Sequence, residues 1–355
     1  MEDIVNGFSS EEEENGEPQN EVVNPLAINP ADYEELKIIQ LLQNKGMLLK
    51  EVICNKCNKK MKLEKNTIYL DKFCWRCRSQ NPLHDIKLNI RKNSIYEDIK
   101  SPINALYYLT FNCFMKNMSI NKSTNQVKEF CKALHIANIS NKLIIKLYRI
   151  LRAKIKRSFH SIWSHNPLAL EPAEDGHPSI EIDESSIIGN SNSVIWVFGI
   201  IDRSDKQARL FCVMNNRTKQ NLLPLIKNNV NTIAPIDGNN EYTTRVYSDC
   251  FSSYQERDFT EMNFILHRVN HSVWFGRGSF HTNTVEGLWS CIKRLSNNFS
   301  GLNFHNLSKL EKEGINSKDY IDDWLCYSLF LREIERKKLN EVQSREYLLD
   351  ILKIN

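Results

Sequence analysis

The sequence predicts an α/β protein: a mixed five-stranded sheet with helices, preceded by a cysteine-rich unit and an all-helical region. Three observations carry that expectation. Apolar residues alternate or run together in short stretches over 179–214, then recur at helical spacing from 219 onward. Four cysteines stand in two C-x2-C pairs, Cys54 with Cys57 and Cys74 with Cys77. Between 101 and 160, apolar residues fall three and four apart, the period of a helix that buries one face.

Composition narrows the function classes. The 355 residues are 41% hydrophobic and 25% charged, ordinary for a globular chain of two or three units. No apolar run approaches the ~20 residues that cross a bilayer, and the acidic opening does not read as a secretory signal. A membrane span is therefore excluded and an intracellular location expected. The net charge of +4 conceals an asymmetry: residues 1–29 contain acids and no Lys or Arg, whereas residues 45–160 hold 25 Lys and Arg against 7 Asp and Glu. The basic stretch suits a polyanionic partner.

Taken in order, residues 1–29 read as a disordered acidic tail. Residues 30–100 form a zinc-ribbon region, entered by a short amphipathic helix through Tyr33, Leu36, Ile39 and Leu42. Each C-x2-C turn presents two thiolates, so Cys54, Cys57, Cys74 and Cys77 are expected to hold a structural Zn2+ in a closed tetrahedral site, with His84 able to replace one of them. Residues 101–165 form a helical region with a helix-turn-helix pattern. Its second helix begins at Asn141 and carries Lys142, Lys146, Arg149, Arg152, Lys154 and Arg157, candidate DNA-binding residues for a helix docked in a groove; a solvated basic face is the plainer reading. Residues 166–178, rich in Pro and Gly, are a linker. Residues 179–340 form the catalytic domain and residues 341–355 a C-terminal helical tail.

Within 179–340, strands are expected at 179–186, 194–201 and 208–214, a helix at 219–230, strands at 243–247 and 264–268, and a helix at 284–295. That element order is the order of the RNase H-like fold. Asp183 lies mid-strand on the face opposite Ile180 and Ile182. Asp249 ends a strand, and Glu286 sits on the last of these helices, with Asn283 and Lys293 on its side of the helix. Three carboxylates from distant elements are the oxygen donors that Mg2+ or Mn2+ prefers, and two such ions suit in-line attack at a phosphodiester.

The segments Ile182-Asp183-Glu184-Ser185, Tyr247-Ser248-Asp249 and His281-Thr282-Asn283-Thr284-Val285-Glu286-Gly287-Leu288-Trp289 resemble the DDE domain of Merlin-superfamily transposases and their insertion-sequence relatives. Trp75-Arg76-Cys77-Arg78 and Ile90-Arg91-Lys92-Asn93-Ser94 resemble the zinc-binding region of the same proteins, so the likeness spans nearly all of the folded chain. The resemblance implies a catalytic triad of Asp183, Asp249 and Glu286 with Lys293 as a following basic residue and Asn283 as a helper to, or rival of, Glu286. It further implies cut-and-paste transposition by a homo-oligomer acting on terminal inverted repeats and target DNA, in the nucleus or, for a bacterial chain, in the cytoplasm and nucleoid. His271 and His281 are expected to line the cleft and touch DNA. The family's basic, aromatic stretch after the first acid is replaced by Ile187-Ile188-Gly189-Asn190-Ser191-Asn192-Ser193, and Cys326-Tyr327 stands where a late Arg is usual. A DNA-binding regulator that retains the fold without catalysis, and an RNase H-like nuclease without strand transfer, are the competing expectations.

Overall fold

The computed structural model describes residues 33–174, 176–190, 193–232, 243–249, 254–270, 280–296 and 304–353. The expected acidic tail and His271 lie outside the described residues. Helix α1 (Glu35–Asn44) buries Ile38, Ile39 and Leu42. After it, Asn58 at a φ of 54° turns the chain behind Cys54 and Cys57. Strands β1 (Lys62–Lys65), β2 (Phe73–Gln80) and β3 (Leu83–Asn89) then form an antiparallel sheet in that order.

This small sheet is joined to the helices by a buried ion pair. Arg91 binds Asp71 and donates to the carbonyls of Ile99 and Ser101, while Asp71 accepts the backbone N–H of Ile103 at 3.0 Å. Both residues are almost fully buried, and the surrounding carbonyls and N–H supply the partners that burial otherwise removes. Helix α2 (Ile103–Tyr108) continues into a π-helical segment (Leu109–Phe114). Helices α3 (Ile120–Ala133) and α4 (Asn141–Trp163) begin at Ser119 and Ser140, whose hydroxyls accept N–H groups of the first turn.

The larger sheet contains β4 (Ser179–Asn190), β5 (Ser193–Asp202), β6 (Ala208–Met214), β7 (Arg245–Ser248) and β8 (Ile265–Arg268), in the order β6-β5-β4-β7-β8. The first three strands pair antiparallel, and β4–β7 and β7–β8 pair parallel. The chain is thus mixed α/β with a five-stranded mixed sheet. Alternation divides its faces. Ile180, Ile182, Phe198, Ile200 and Val246 pack with α5 (Lys219–Lys227) and α6 (Glu256–Thr260). Ile195, Val197, Ile201, Leu210 and Cys212 face α7 (Asn283–Ser296) and share a core with α1–α4, α9 (Ser317–Arg336) and α10 (Glu341–Leu352). Helix α8 (Phe304–Lys312) leads into α9.

The segment expected as a linker is pinned down: Leu168 bridges Val230, and Leu168 and Ala169 are buried. Helix α9 also covers the edge strand β6, where Asp322 accepts the backbone N–H of Cys212 at 2.8 Å. That contact occupies a donor which an uncovered edge would offer to another chain.

Candidate active site and metal centre

Glu181 of β4 lies beside Tyr247 of β7 in a parallel pair. Asp183 lies two residues beyond Glu181 on the same face of β4, and Asp249, which directly follows β7, is near enough for its charge to act on Asp183. Helix α7 crosses this face and is fixed there at two points. The Val285 N–H donates to Glu181 Oε2 at 2.9 Å, and the Trp289 indole N–H donates to Asp183 Oδ2 at 2.9 Å. Glu286, between these anchors, is solvent-facing and accepts from the Thr282 hydroxyl at 3.2 Å.

Gly199 pairs directly with Asp183 across β4 and β5. A Cβ at that position would stand 2.7 Å from Trp289 Cζ2 and 2.8 Å from Cη2, so the indole fits against the sheet only because Gly199 lacks a side chain. Burial first, and then the charge of Asp249, pushes the Asp183 carboxyl up to about 6, with a further contribution from Glu286; the N–H groups of Glu184 and Trp289 oppose the rise. Glu184 is pushed up to about 8 by burial and by Asp183 and Asp249, against the opposing pull of Arg217. Asp183, with the charges of Asp249 and Glu286 acting on it, offers oxygen donors of the kind a hard cation prefers.

Glu181 is completely buried and is the second anchor of the site. Arg203 Nε stands 3.1 Å from its Oε1 and His281 Nδ1 stands 3.5 Å away, and Arg203 Nη2 lies 3.0 Å from His281 Nε2. His281, expected to touch DNA, is thus committed to holding Glu181 and the start of α7. Arg203 also stacks on the Tyr247 ring at 4.3 Å. Asn283 and Lys293 are exposed on α7. The sequence alone gave Glu181, Glu184, Gly199 and Trp289 no role in the site, although Glu184 and Trp289 stand in the segments that carry the resemblance. The acidic pair Glu181 and Asp183 on one strand face was the available signal, because two acids facing a packed helix require partners.

The second cluster is Cys54, Cys57, Cys77 and His84, whose donor atoms all lie within 4.8 Å of one another. Cys57 Sγ is 3.6 Å from Cys77 Sγ, and His84 Nε2 is 3.4 Å from both Cys54 and Cys77 Sγ. Tetrahedral zinc with ordinary bond lengths sets such edges at about 3.5–3.8 Å, so the donor set fits Zn2+. The Nδ1 of His84 is 2.8 Å from the Pro82 carbonyl, a contact that makes Nδ1 the protonated nitrogen and leaves Nε2 for metal.

Cys74 corrects the four-cysteine expectation. It is buried away from this group, with the Asn66 amide 3.8 Å from its sulfur. Cys74 and Cys77 lie on strand β2, where an odd spacing points side chains to opposite faces. Cys77 pairs with Ile86 in β3, and His84, two residues from Ile86, shares that face. The carboxylates Asp183, Asp249 and Glu286 do not form a comparably tight group among the described residues.

On the basic helix, one expected DNA contact is not on an open face. Arg152 is buried, its guanidinium 3.2 Å from the Trp324 ring centroid, because α9 packs along α4 and covers that face. Lys146 donates to the Asp98 carbonyl at 2.7 Å, and Arg149 lies 3.9 Å from Glu313. Lys142, Lys146 and Arg157 remain exposed, and Lys154 is half-buried. A groove-docked helix therefore lacks Arg152.

No family model matches the chain, and no curated protein matches it. Among solved structures, it is similar to a chain of the simian T-cell lymphotropic virus intasome in complex with PP2A regulatory subunit B56 gamma, at 12% identity and a TM-score of 0.28, over 62% of this chain and 67% of that one. Similarity of that degree establishes no relationship. Among the described residues, no helix is long and apolar enough to cross a membrane.

Proposed function

We propose that the chain is a metal-dependent DNA transposase of the cut-and-paste kind, with an RNase H-like catalytic domain and affinity to the Merlin superfamily. The observation that supports this reading is Asp183 standing within reach of the charges of Asp249 and Glu286, on a strand crossed by the helix that carries Glu286. The strand order, with the first strand of the sheet central between an antiparallel pair and a parallel pair, fits the same reading.

In this proposal Asp183, Asp249 and Glu286 hold Mg2+ or Mn2+. When bound there, two such ions would lower the pKa of a water or 3'-hydroxyl and would stabilise the charge on the leaving oxygen at a phosphodiester. Trp289 fixes the rotamer of Asp183, and Glu181 with Arg203 and His281 fixes the start of α7, so the carboxylates keep their spacing. Lys293 serves as a phosphate contact, and Asn283 supports Glu286. The proposed zinc ribbon and the helices give DNA affinity at the terminal repeats, and two copies of the chain bring two ends together. Such an enzyme works where chromosomal DNA is, in the nucleus of a eukaryotic cell.

The test is Mg2+-dependent cleavage and joining of DNA bearing the flanking inverted repeats, compared between wild type and Asp183→Asn. Cleavage with joining, lost in the variant, supports the reading. Cleavage without joining selects the nuclease. Specific binding without cleavage selects the regulator, and undiminished cleavage by the variant removes the proposed site.

A further inference from the structure

A cleft of about 650 Å3 opens between α4, the start of α3 and the α8–α9 pair. It is bordered by Lys142, Lys146, Arg149 and Arg152 of α4 and by Lys309 of α8, and Glu313 is the one acid among its lining residues. Concave surfaces lined by one sign of charge concentrate ions of the opposite sign. At the back of the cleft, Arg152 is only 6% exposed, yet its Nε has no hydrogen-bond partner among the described residues. Its guanidinium rests on Trp324, with the rings of Tyr327 and Tyr148 at 5.7 and 5.9 Å. Arg149 Nη2 is also buried without a hydrogen bond among the described residues, Glu313 being 3.9 Å away. Asp323, whose charge reaches Arg152, is paired with Lys156 at 2.7 Å.

Burial pulls the Arg152 guanidinium down to about 10, which leaves it charged at neutral pH. A buried cation with an unused donor is costly unless an anion completes it. The planar guanidinium fork matches phosphate oxygens better than an ammonium does, and the half-buried Tyr320 ring lines the same space. The volume falls in the range of small-ligand sites and accommodates a nucleotide-sized group.

We infer that this cleft binds a nucleotide unit of a DNA strand, its phosphate received by Arg149 and Arg152 beneath a rim of Lys142, Lys146 and Lys309. The inference goes beyond the catalytic reading and needs neither the carboxylates nor their metal. Its test is the fluorescence anisotropy of a labelled eight-nucleotide single strand, titrated without added divalent cations across a salt series. Lys142→Ala combined with Lys309→Ala alters two rim residues and keeps the test independent of folding. Loss of two phosphate contacts is expected to weaken binding about tenfold at low salt and to flatten the salt slope by about 1.4, at ~0.7 per single-strand contact. Arg152→Met, checked for folding by circular dichroism, is expected to weaken binding further.

Thymidine monophosphate and inorganic phosphate serve as competitors. Displacement only by the oligonucleotide assigns the cleft to a strand, whereas displacement by the mononucleotide at similar concentration assigns the same chemistry to a free nucleotide and overturns the strand. Unchanged affinity and salt slope in the double variant overturn the site altogether. A protein that shows this salt-dependent binding, weakened in the double variant, yet cuts nothing supports the cleft while refuting catalysis.

Discussion

A missing side chain at Gly199 decides where Trp289 lies, and Trp289 decides where Asp183 points. Gly199→Ala therefore forces the indole off the sheet, at a cost of about 1–3 kcal/mol, typical of overpacking. A lowered melting temperature together with reduced Mg2+-dependent cleavage is the expected outcome. Trp289→Phe separates the two effects: it keeps most of the packing and removes the donor, so cleavage is expected to fall more than stability. Asp183→Asn is expected to reduce cleavage ~1,000-fold while leaving the melting temperature unchanged or higher, because the charge removed is one that Asp249 and Glu286 repel. For zinc, Cys74→Ser is expected to retain one equivalent of metal by mass spectrometry and His84→Ala to lose it. The reverse result would restore the four-cysteine arrangement. Cysteine spacing gave three of the four clustered residues, Cys54, Cys57 and Cys77, with His84 as a possible replacement, but could not show that Cys74 stands apart, since C-x2-C describes a knuckle only where the chain turns, and at Cys74 it runs straight.

At the scale of elements, legibility followed burial. Strands β4 to β6 announced themselves through apolar runs, and α7 through an amphipathic stripe. Helix α9 did not, because Trp324, Leu325, Cys326, Tyr327, Leu329 and Phe330 are buried around nearly its whole circumference, which erases the period. The same packing hid the fate of Arg152: the charges on α4 resembled a solvated face until α9 was laid against it. Asp322 gives α9 a titration signature. Burial pushes its carboxyl up to about 6, above the ordinary value near 3.9. A raised carboxyl pKa means that the folded state holds the proton more tightly, so this group lowers stability as pH rises from about 4 to about 6. Asp322→Asn keeps an acceptor for the Cys212 N–H and is expected to flatten that pH dependence, by up to ~3 kcal/mol. Denaturant melts at pH 4 and pH 7 compare the two proteins, and parallel losses in both contradict the assignment.

Across the whole molecule, the helical region and the α7 face of the sheet share one hydrophobic core. The sequence suggested separable regions because Pro and Gly cluster at 166–178, yet Leu168 and Ala169 are buried and tie that stretch to the sheet. A fragment beginning at residue 166 is therefore expected to expose the apolar faces of α9 and β5 and to lose cooperative unfolding, whereas the longer chain from residue 33 unfolds in one transition by near-ultraviolet circular dichroism. The candidate site depends on that shared core, since α7 reaches Asp183 only while it is held between the sheet and α9. The central claim is that Asp183, Asp249 and Glu286 together hold divalent metal ions. Crystals grown with Mn2+ and measured at the manganese absorption edge test it most directly: anomalous peaks touching the Asp183 and Asp249 carboxylates are predicted, and a fully occupied crystal with manganese elsewhere and none at this pair would contradict it.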